Sequence, residues 1–145
     1  MKTIECAAAP VAPPVVGSVR LWLLAEGLAV FALGVLAYAK TGAGFGMFAA
    51  LFLVPDLSLG GYLFGPRRGA AVYNAVHSYL GPLVLAALAV VGALPAALPF
   101  AFIWTAHIGL DRALGFGLKY PSAFGDTHLG RVGRKGQPAR VMVTA

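Results

Sequence analysis

The chain alternates four long apolar blocks with short polar or turn-forming stretches. The blocks cover approximately residues 19–39, 44–64, 69–91 and 96–118. Each block is about 20 residues long, the length that an α-helix needs to cross the hydrocarbon core of a bilayer. Because the separators are only a few residues long, neighbouring helices must run antiparallel. We therefore predict an all-α integral membrane protein built as a four-helix bundle.

Composition and charge agree with a membrane location. The chain is 59% hydrophobic and only 11% charged, with a mean hydropathy of +0.82, whereas soluble domains carry about 25% charged residues. The net charge is +6, and it lies in short loops and tails, a placement that favours membrane topology over nucleic-acid binding. With both termini in the cytoplasm, Lys40 alone lies outside, and the basic residues inside are Lys2, Arg20, Arg67, Arg68, Lys119, Arg131, Arg134, Lys135 and Arg140. The positive-inside rule therefore predicts N-in/C-in topology.

Polar side chains inside the predicted spans are the candidates for function. A charge at membrane depth costs about 2.5 to 3.5 kcal/mol, so each one needs a reason. Counted along the helices, the acidic and imidazole groups lie roughly 9 to 18 Å from the cytoplasmic ends. The polar set comprises Glu26 in the first helix, Asp56 in the second, Asn74 and His77 in the third, and His107, Asp111 and Arg112 in the fourth. We expect one polar layer in the cytoplasmic half of the bundle.

The helical spacing of these residues predicts that they face one another. His107 and Asp111 are four residues apart and share one face. Asn74 and His77 belong to a polar and small-residue stripe on the third helix, which favours a bundle interior over lipid. We expect the side chains of Asp56, His77, His107 and Asp111 to converge within about 8 Å of a common point, close enough for direct or water-bridged contact.

Two prolines should interrupt the spans near this layer. Pro55 removes a helical hydrogen bond in the second span, and Pro82 does so in the third. Both spans should therefore kink near the middle of the membrane. The carbonyl groups freed in this way need protein or water partners, which again indicates a polar interior.

Three functional interpretations remain open from these residues. Two carboxylates and two imidazoles, from Asp56, His77, His107 and Asp111, suit Zn, Mn or Fe, and a bound metal could activate water. The leading hypothesis is thus a membrane-embedded, metal-dependent enzyme for a lipidic or amphipathic substrate, with His and Asp as ligands or as general acid and base. The first alternative is a transporter or proton-coupled carrier, which with so few helices would form a homo-oligomer. The second is an accessory protein whose polar layer only fixes helix register.

Supporting roles are expected for several further residues. Arg112 should extend to the cytoplasmic face or pair with Glu26.

Residues 1–18 are rich in alanine, proline and valine and should form a mobile tail. Residues 119–145 should form a cytoplasmic tail, whose first part, 119–132, either folds over the site with Asp126 and His128 or anchors at the interface.

Several strings of the sequence resemble a known family. They are Pro55-Asp-Leu-Ser58, Gly60-Gly-Tyr62, Tyr73-Asn-Ala-Val-His77 with Pro82, His107-Ile-Gly-Leu-Asp-Arg112, Gly115-Phe-Gly-Leu-Lys-Tyr-Pro121 and Asp126-Thr-His-Leu-Gly130. In this order, over approximately residues 19–132, the chain resembles a domain-of-unknown-function family of small four-helix bacterial inner-membrane proteins. The resemblance implies four membrane helices and a bacterial source, and it implies no catalytic role.

Overall fold

A computed structural model describes residues 14–132 and shows a mostly helical chain. In order, the elements are helix α1 at Gly17–Lys40, α2 at Phe45–Phe52, a 3₁₀ helix at Val54–Phe64, α3 at Pro66–Val76, α4 at Leu80–Val90, a 3₁₀ turn at Pro95–Ala97, α5 at Leu98–Leu114, strand β1 at Asp126–Thr127 and strand β2 at Gly130–Arg131. The predicted tails at residues 1–13 and 133–145 lie outside the described residues.

Three helical segments are long and apolar enough to cross a membrane. They are Gly17–Lys40, Phe45–Phe64 and Pro66–Val90. Large apolar side chains on them are mostly exposed, for example Leu33 at 64% and Leu63 at 88%. Such an unbroken apolar exterior is stable only against lipid, so these segments indicate a membrane protein.

The second and third segments are interrupted at the prolines that the sequence marked. In the second, the α-helix ends at Phe52 and a 3₁₀ helix follows, with Pro55 in its first turn. In the third, α3 ends at Val76 and α4 begins at Leu80, with Pro82 in its first turn. Proline lacks the N–H of an unbroken helix and its ring clashes with the carbonyl four residues earlier, so the chain leaves the helix before it.

Helix α5 is shorter than the block predicted over residues 96–118. It ends at Leu114 because Gly115 adopts a left-handed conformation with φ +90°. The N–H of Phe116 then donates to the carbonyl of Asp111 at 2.8 Å, which closes the helix end. Apolarity continued past this point in the sequence, but the glycine stops the helix.

Helices α1 and α5 pack antiparallel through small residues. A side chain at Gly27 would meet the backbone of Ala113 at 2.6 Å, and one at Gly34 would meet Ala106 at 3.0 Å. From the other side, a side chain at Gly109 would lie 2.5 Å from the backbone nitrogen of Phe31. Close backbone contact of this kind is how helices associate in lipid, where no hydrophobic force drives them together.

The segment after α5 folds back onto the helical part of the chain. Strands β1 and β2 form a small antiparallel hairpin. Its Leu129 is buried, and the Leu129 carbonyl accepts a 2.7 Å hydrogen bond from Nε of Arg20 in α1. The N–H of Val15 also donates to the carbonyl of His128 at 2.9 Å. The start of α1 and the hairpin are thereby joined.

The α1–α5 contact generates a stability prediction. Replacement Gly109→Ala should lower the free energy of unfolding by about 1 to 3 kcal/mol, because the new methyl group has no room against Phe31. Gly46→Ala is the matched control, since Gly46 is helical and has open space around it. Thermal unfolding in detergent micelles measures both variants. Equal midpoints for the two would contradict the close packing of α1 on α5.

Candidate metal centre

Four ionisable side chains converge at the interruptions of the second and third segments. Asp56 lies in the 3₁₀ helix, His77 follows the last residue of α3, and His107 and Asp111 lie one turn apart on α5. One ligand atom from each lies within 4.8 Å of all the others. The predicted convergence of these four residues is present in the structure. Their chemical roles stay predictions.

The distances in this cluster fit a small cation at its centre. Nε2 of His77 and Nε2 of His107 are 3.2 Å apart. Oδ1 of Asp56 lies 3.6 Å from the first nitrogen and 3.7 Å from the second, and Oδ2 of Asp111 lies 3.5 Å and 3.9 Å from them. Four ligands at about 2.0 to 2.2 Å from a tetrahedral zinc are separated by about 3.3 to 3.6 Å. The His/Asp cluster is thus close to this spacing.

Tyr73 orients two members of the His/Asp cluster. Its backbone carbonyl lies 3.1 Å from Nδ1 of His77, and because a carbonyl only accepts, this nitrogen carries the ring proton. The lone pair of His77 Nε2 is therefore free to face the centre of the cluster. The Tyr73 hydroxyl donates to Oδ2 of Asp111 at 3.1 Å, and its ring stacks on the His77 ring with centroids 3.8 Å apart. Such outer contacts fix ligands in metal sites.

His107 is held by packing and by the contacts of its Nε2 within the cluster. It is 2% exposed, and its Nδ1 is buried with no hydrogen-bond partner among the described residues. The Phe52 ring meets its imidazole edge to face at 5.3 Å. Without a cation, Nε2 of His107 must donate its proton to Nε2 of His77. A cation at the centre would accept both lone pairs instead, which suits two Nε2 atoms that lie 3.2 Å apart.

Access to the cluster is uneven. The side chains of His77 and His107 are 2% and 3% exposed, and that of Asp111 is 18% exposed. The side chain of Asp56 is 38% exposed, the most of the four. Its contacts in the cluster are with the two imidazoles, at 3.6 Å from Nε2 of His77 and 3.7 Å from Nε2 of His107. A molecule that approaches the cluster therefore meets Asp56 first.

Two side chains of α5 complete the hydrogen bonding of the broken third segment. Nε1 of Trp104 donates to the carbonyl of Val76 at 2.7 Å, and the Arg112 guanidinium donates to the carbonyl of His77 at 3.0 Å. The expected pairing of Arg112 with Glu26 is not formed: no ion pair of Glu26 occurs in the described part of the chain. Arg112 also donates to the carbonyl of Phe116 at 3.3 Å, so its partners are main-chain carbonyls, which need donors at membrane depth.

Asn74 fixes the segment after α5 beside the cluster. Its Nδ2 donates to the carbonyl of Lys119 at 2.8 Å, and its Oδ1 accepts from the Lys119 N–H at 2.7 Å. The Lys119 ammonium lies 4.7 Å from the centre of the Tyr73 ring and donates to the carbonyl of Phe124 at 2.9 Å. Burial lowers the pKa of Lys119, and the nearby Asp111 carboxylate opposes that shift. This segment thus packs directly behind Tyr73.

Asp126 and His128 lie outside the His/Asp cluster, although their segment does fold back. Asp126 pairs with Arg131 at 2.8 Å and accepts from the Ser122 hydroxyl at 2.8 Å. Nδ1 of His128 accepts from the N–H of Leu118 at 2.9 Å. Burial lowers the pKa of His128, and the charge of Arg112 lowers it further. Both residues hold the hairpin together and supply nothing to the His/Asp cluster.

Tyr73, Trp104 and Lys119 also contact the site or its supports, and residue spacing did not predict these contacts. A tyrosine four residues before His77 lies on the same face of its helix, and this spacing was the available signal for Tyr73. Trp104 stood out only for its depth in the span. The position of Lys119 beside Tyr73 depends on the path of the chain after Gly115. Helical periodicity does not predict that path.

Comparison with known proteins places the chain in a family. Residues 20–132 match the family model described as Domain of unknown function (DUF4260). The chain belongs to this family. No curated protein and no solved structure matches it. The His/Asp cluster and the hairpin both lie inside the matched residues of this DUF4260 member, and the family description carries no activity.

The Asn74 contact predicts how the returning segment opens. Asn74→Ala removes both hydrogen bonds to Lys119, each worth about 0.5 to 1.5 kcal/mol. Amide exchange around residues 119–127 should therefore accelerate by about tenfold or more, as hydrogen–deuterium exchange with peptide mass spectrometry would show. Ser78→Ala is the control, because Ser78 lies in the break between α3 and α4 and its exposed hydroxyl donates to the nearby carbonyl of Ala75. Unchanged exchange in Asn74→Ala would contradict the role of Asn74 in holding the segment after α5.

Proposed function

We propose that this chain is a multi-pass membrane protein whose His/Asp cluster binds a divalent transition metal for hydrolysis of a lipidic or amphipathic substrate. The observation that carries the proposal is the convergence of four ligand atoms, two imidazole and two carboxylate, within 4.8 Å. Nitrogen and oxygen ligands of this kind suit Zn, Mn or Fe.

The proposed membrane arrangement is a four-helix bundle with both termini in the cytoplasm of a bacterium. The broken segments act as single spans, and α5 with its preceding 3₁₀ turn forms the fourth. The distribution of basic residues supports this orientation. The His/Asp cluster then lies in the cytoplasmic half of the inner membrane.

The four residues divide into three ligands and one base. His77, His107 and Asp111 are the more buried members, and Tyr73 orients two of them. Three protein ligands with an open position are typical of catalytic zinc sites. Asp56 is the most exposed of the four, so it is suited to accept a proton from an attacking water. The metal would supply Lewis acidity at the same point.

A transporter is the second candidate, and the two interrupted segments favour it. In many transporters, discontinuous helices form the substrate or ion site near the middle of the membrane. Here the interruptions lie at Asp56 and His77, both in the His/Asp cluster. A metal ion would then be cargo, and metal uptake by vesicles containing the purified chain would distinguish this function from hydrolysis.

Metal content tests the site itself. The purified chain should hold about one divalent metal ion, and His77→Gln, His107→Gln and Asp111→Asn should each lose it, because the amides keep similar size but bind metal weakly. Elemental analysis by mass spectrometry after dialysis measures the content. His128→Gln is the matched control, since this histidine lies outside the cluster.

The accessory-protein alternative makes the opposite prediction. If the cluster only fixes helix register, the same substitutions should lower stability by about 1 to 3 kcal/mol through unsatisfied partners, and metal content should be negligible throughout. Equal metal loss in His128→Gln and His107→Gln would also contradict the assigned site.

Asp56→Asn tests the catalytic role separately from metal binding. This variant should keep its metal through the other three ligands and lose hydrolysis by about a hundredfold or more, because the amide cannot accept a proton. Metal-loaded protein in phosphatidylethanolamine–phosphatidylglycerol vesicles is assayed for cleaved lipids by mass spectrometry. Cleavage by Asp56→Asn at the wild-type rate would exclude Asp56 as the base. Absence of cleavage by metal-loaded wild type would count against the enzyme.

A further inference from the structure

An apolar cavity of about 320 Å³ lies between the second segment and α5. Leu51 and Val54 form one wall, Phe100 and Trp104 form the other, and Ser58 is the polar exception among these lining residues. The volume falls at the lower end of the range of about 300 to 1,000 Å³ found for ligand sites. Its lining would bury hydrocarbon and offers almost nothing to a polar ligand.

The cavity lies beside the His/Asp cluster, since Pro55, the residue before Asp56, lines it. Ser58 lines the cavity, and its hydroxyl lies 3.5 Å from Nδ1 of His77. On α5, Trp104 precedes His107 by about one turn and Phe100 by about two, so the far end lies about 10 Å along the helix from His107. The polar His/Asp cluster and the apolar cavity thus lie one after the other along the same face of α5.

The walls of the cavity are held in place. The hydrogen bond from Trp104 to the carbonyl of Val76 fixes the indole ring. Gly81 allows that position, because a side chain there would overlap the ring. The space is therefore formed before any ligand enters, so binding does not have to pay for ordering it.

The sequence of a polar cluster followed by an apolar cavity matches the head group and acyl chains of a lipid in the cytoplasmic leaflet. With the proposed orientation, α5 runs from the outer surface inward, so the cavity extends from the cluster away from the cytoplasm. Counted from Leu114, Trp104 lies about 15 Å and Phe100 about 21 Å into the span, so the cavity crosses the middle of the bilayer. A lipid of that leaflet has its head group towards the cytoplasm and its chains towards the middle. Val54 and Phe100 are 46% and 43% exposed, so the lining is continuous with the lipid-facing surface.

We propose that this cavity holds one hydrocarbon chain of a membrane phospholipid, with the polar part of that lipid at Asp56. The inference rests on the proposed function for the role of the polar part, and it narrows the substrate class to lipids with a linear chain. Trp104, which no step of the hydrolysis uses, becomes a wall that determines which chains fit.

Photolabelling of the full-length protein tests this inference. The probe is a phosphatidylglycerol with a diazirine in one acyl chain, mixed into nanodiscs of phosphatidylethanolamine and phosphatidylglycerol. Peptide mass spectrometry should find label on the cavity residues. Leu51→Trp should lower that labelling by about tenfold, because a filled cavity no longer buries the methylene groups of the chain. Val54→Trp fills the same cavity from a more exposed position and should act alike.

Leu57→Trp is the matched control, since Leu57 is 77% exposed on the same segment and lies outside the cavity. It should label like wild type. Cavity labelling that is unchanged in both filling variants, or that falls equally in Leu57→Trp, would overturn the inference.

Metal content of the same samples separates this inference from the proposed function. Leu51→Trp should keep its metal, which also shows that it folds, and Asp111→Asn should lose metal but keep the cavity label. Label in the cavity of a wild-type protein without metal would overturn the metal-dependent function and support the lipid site. Bound metal without cavity label would overturn the lipid site alone.

Discussion

A main-chain carbonyl within a bilayer needs a hydrogen-bond donor, and this requirement governs the centre of the protein. Pro82 breaks the third segment and leaves the carbonyls of Val76 and His77 without helical partners. Trp104 and Arg112, both on α5, supply the donors. The break therefore fixes α5 against the third segment, and α5 in turn carries two of the four residues of the His/Asp cluster.

The same break makes the candidate chemistry possible. In an unbroken helix His77 would lie in the middle of a membrane span. Here it follows the last residue of α3, and its ring stacks on the ring of Tyr73. The bond from its Nδ1 to the Tyr73 carbonyl leaves Nε2 directed at the centre of the cluster. One residue, Tyr73, thus links the local backbone of α3 to Asp111 on another helix. The groups that satisfy the main chain at this break thus lie beside the His/Asp cluster. Arg112 donates to a main-chain carbonyl there and does not pair with Glu26.

Much of the candidate site was predictable from residue spacing. His107 and Asp111 share a helix face whatever surrounds them, and Pro55 and Pro82 interrupt helices by their own covalent structure. The antiparallel order of short-linked spans was enough to predict that Asp56 and His77 come near that face. The positions of Asp126 and His128 were harder to predict, because a hairpin of polar and glycine residues has no periodicity. The contacts of Asp126 with Arg131 and of His128 with Leu118 decide where these two side chains lie.

The sequence by itself determined the apolar segments, their interruptions and the membership of the His/Asp cluster, because these follow from hydrophobicity, from proline chemistry and from helical period. Tertiary structure alone decided the rest. It directed Arg112 to the His77 carbonyl, made Tyr73 an orienting partner of Asp111 and brought Lys119 behind it. Each of these depends on which donor lies nearest to which acceptor after packing. That distance is set by the whole arrangement of helices, and it is not encoded in any one stretch of the chain.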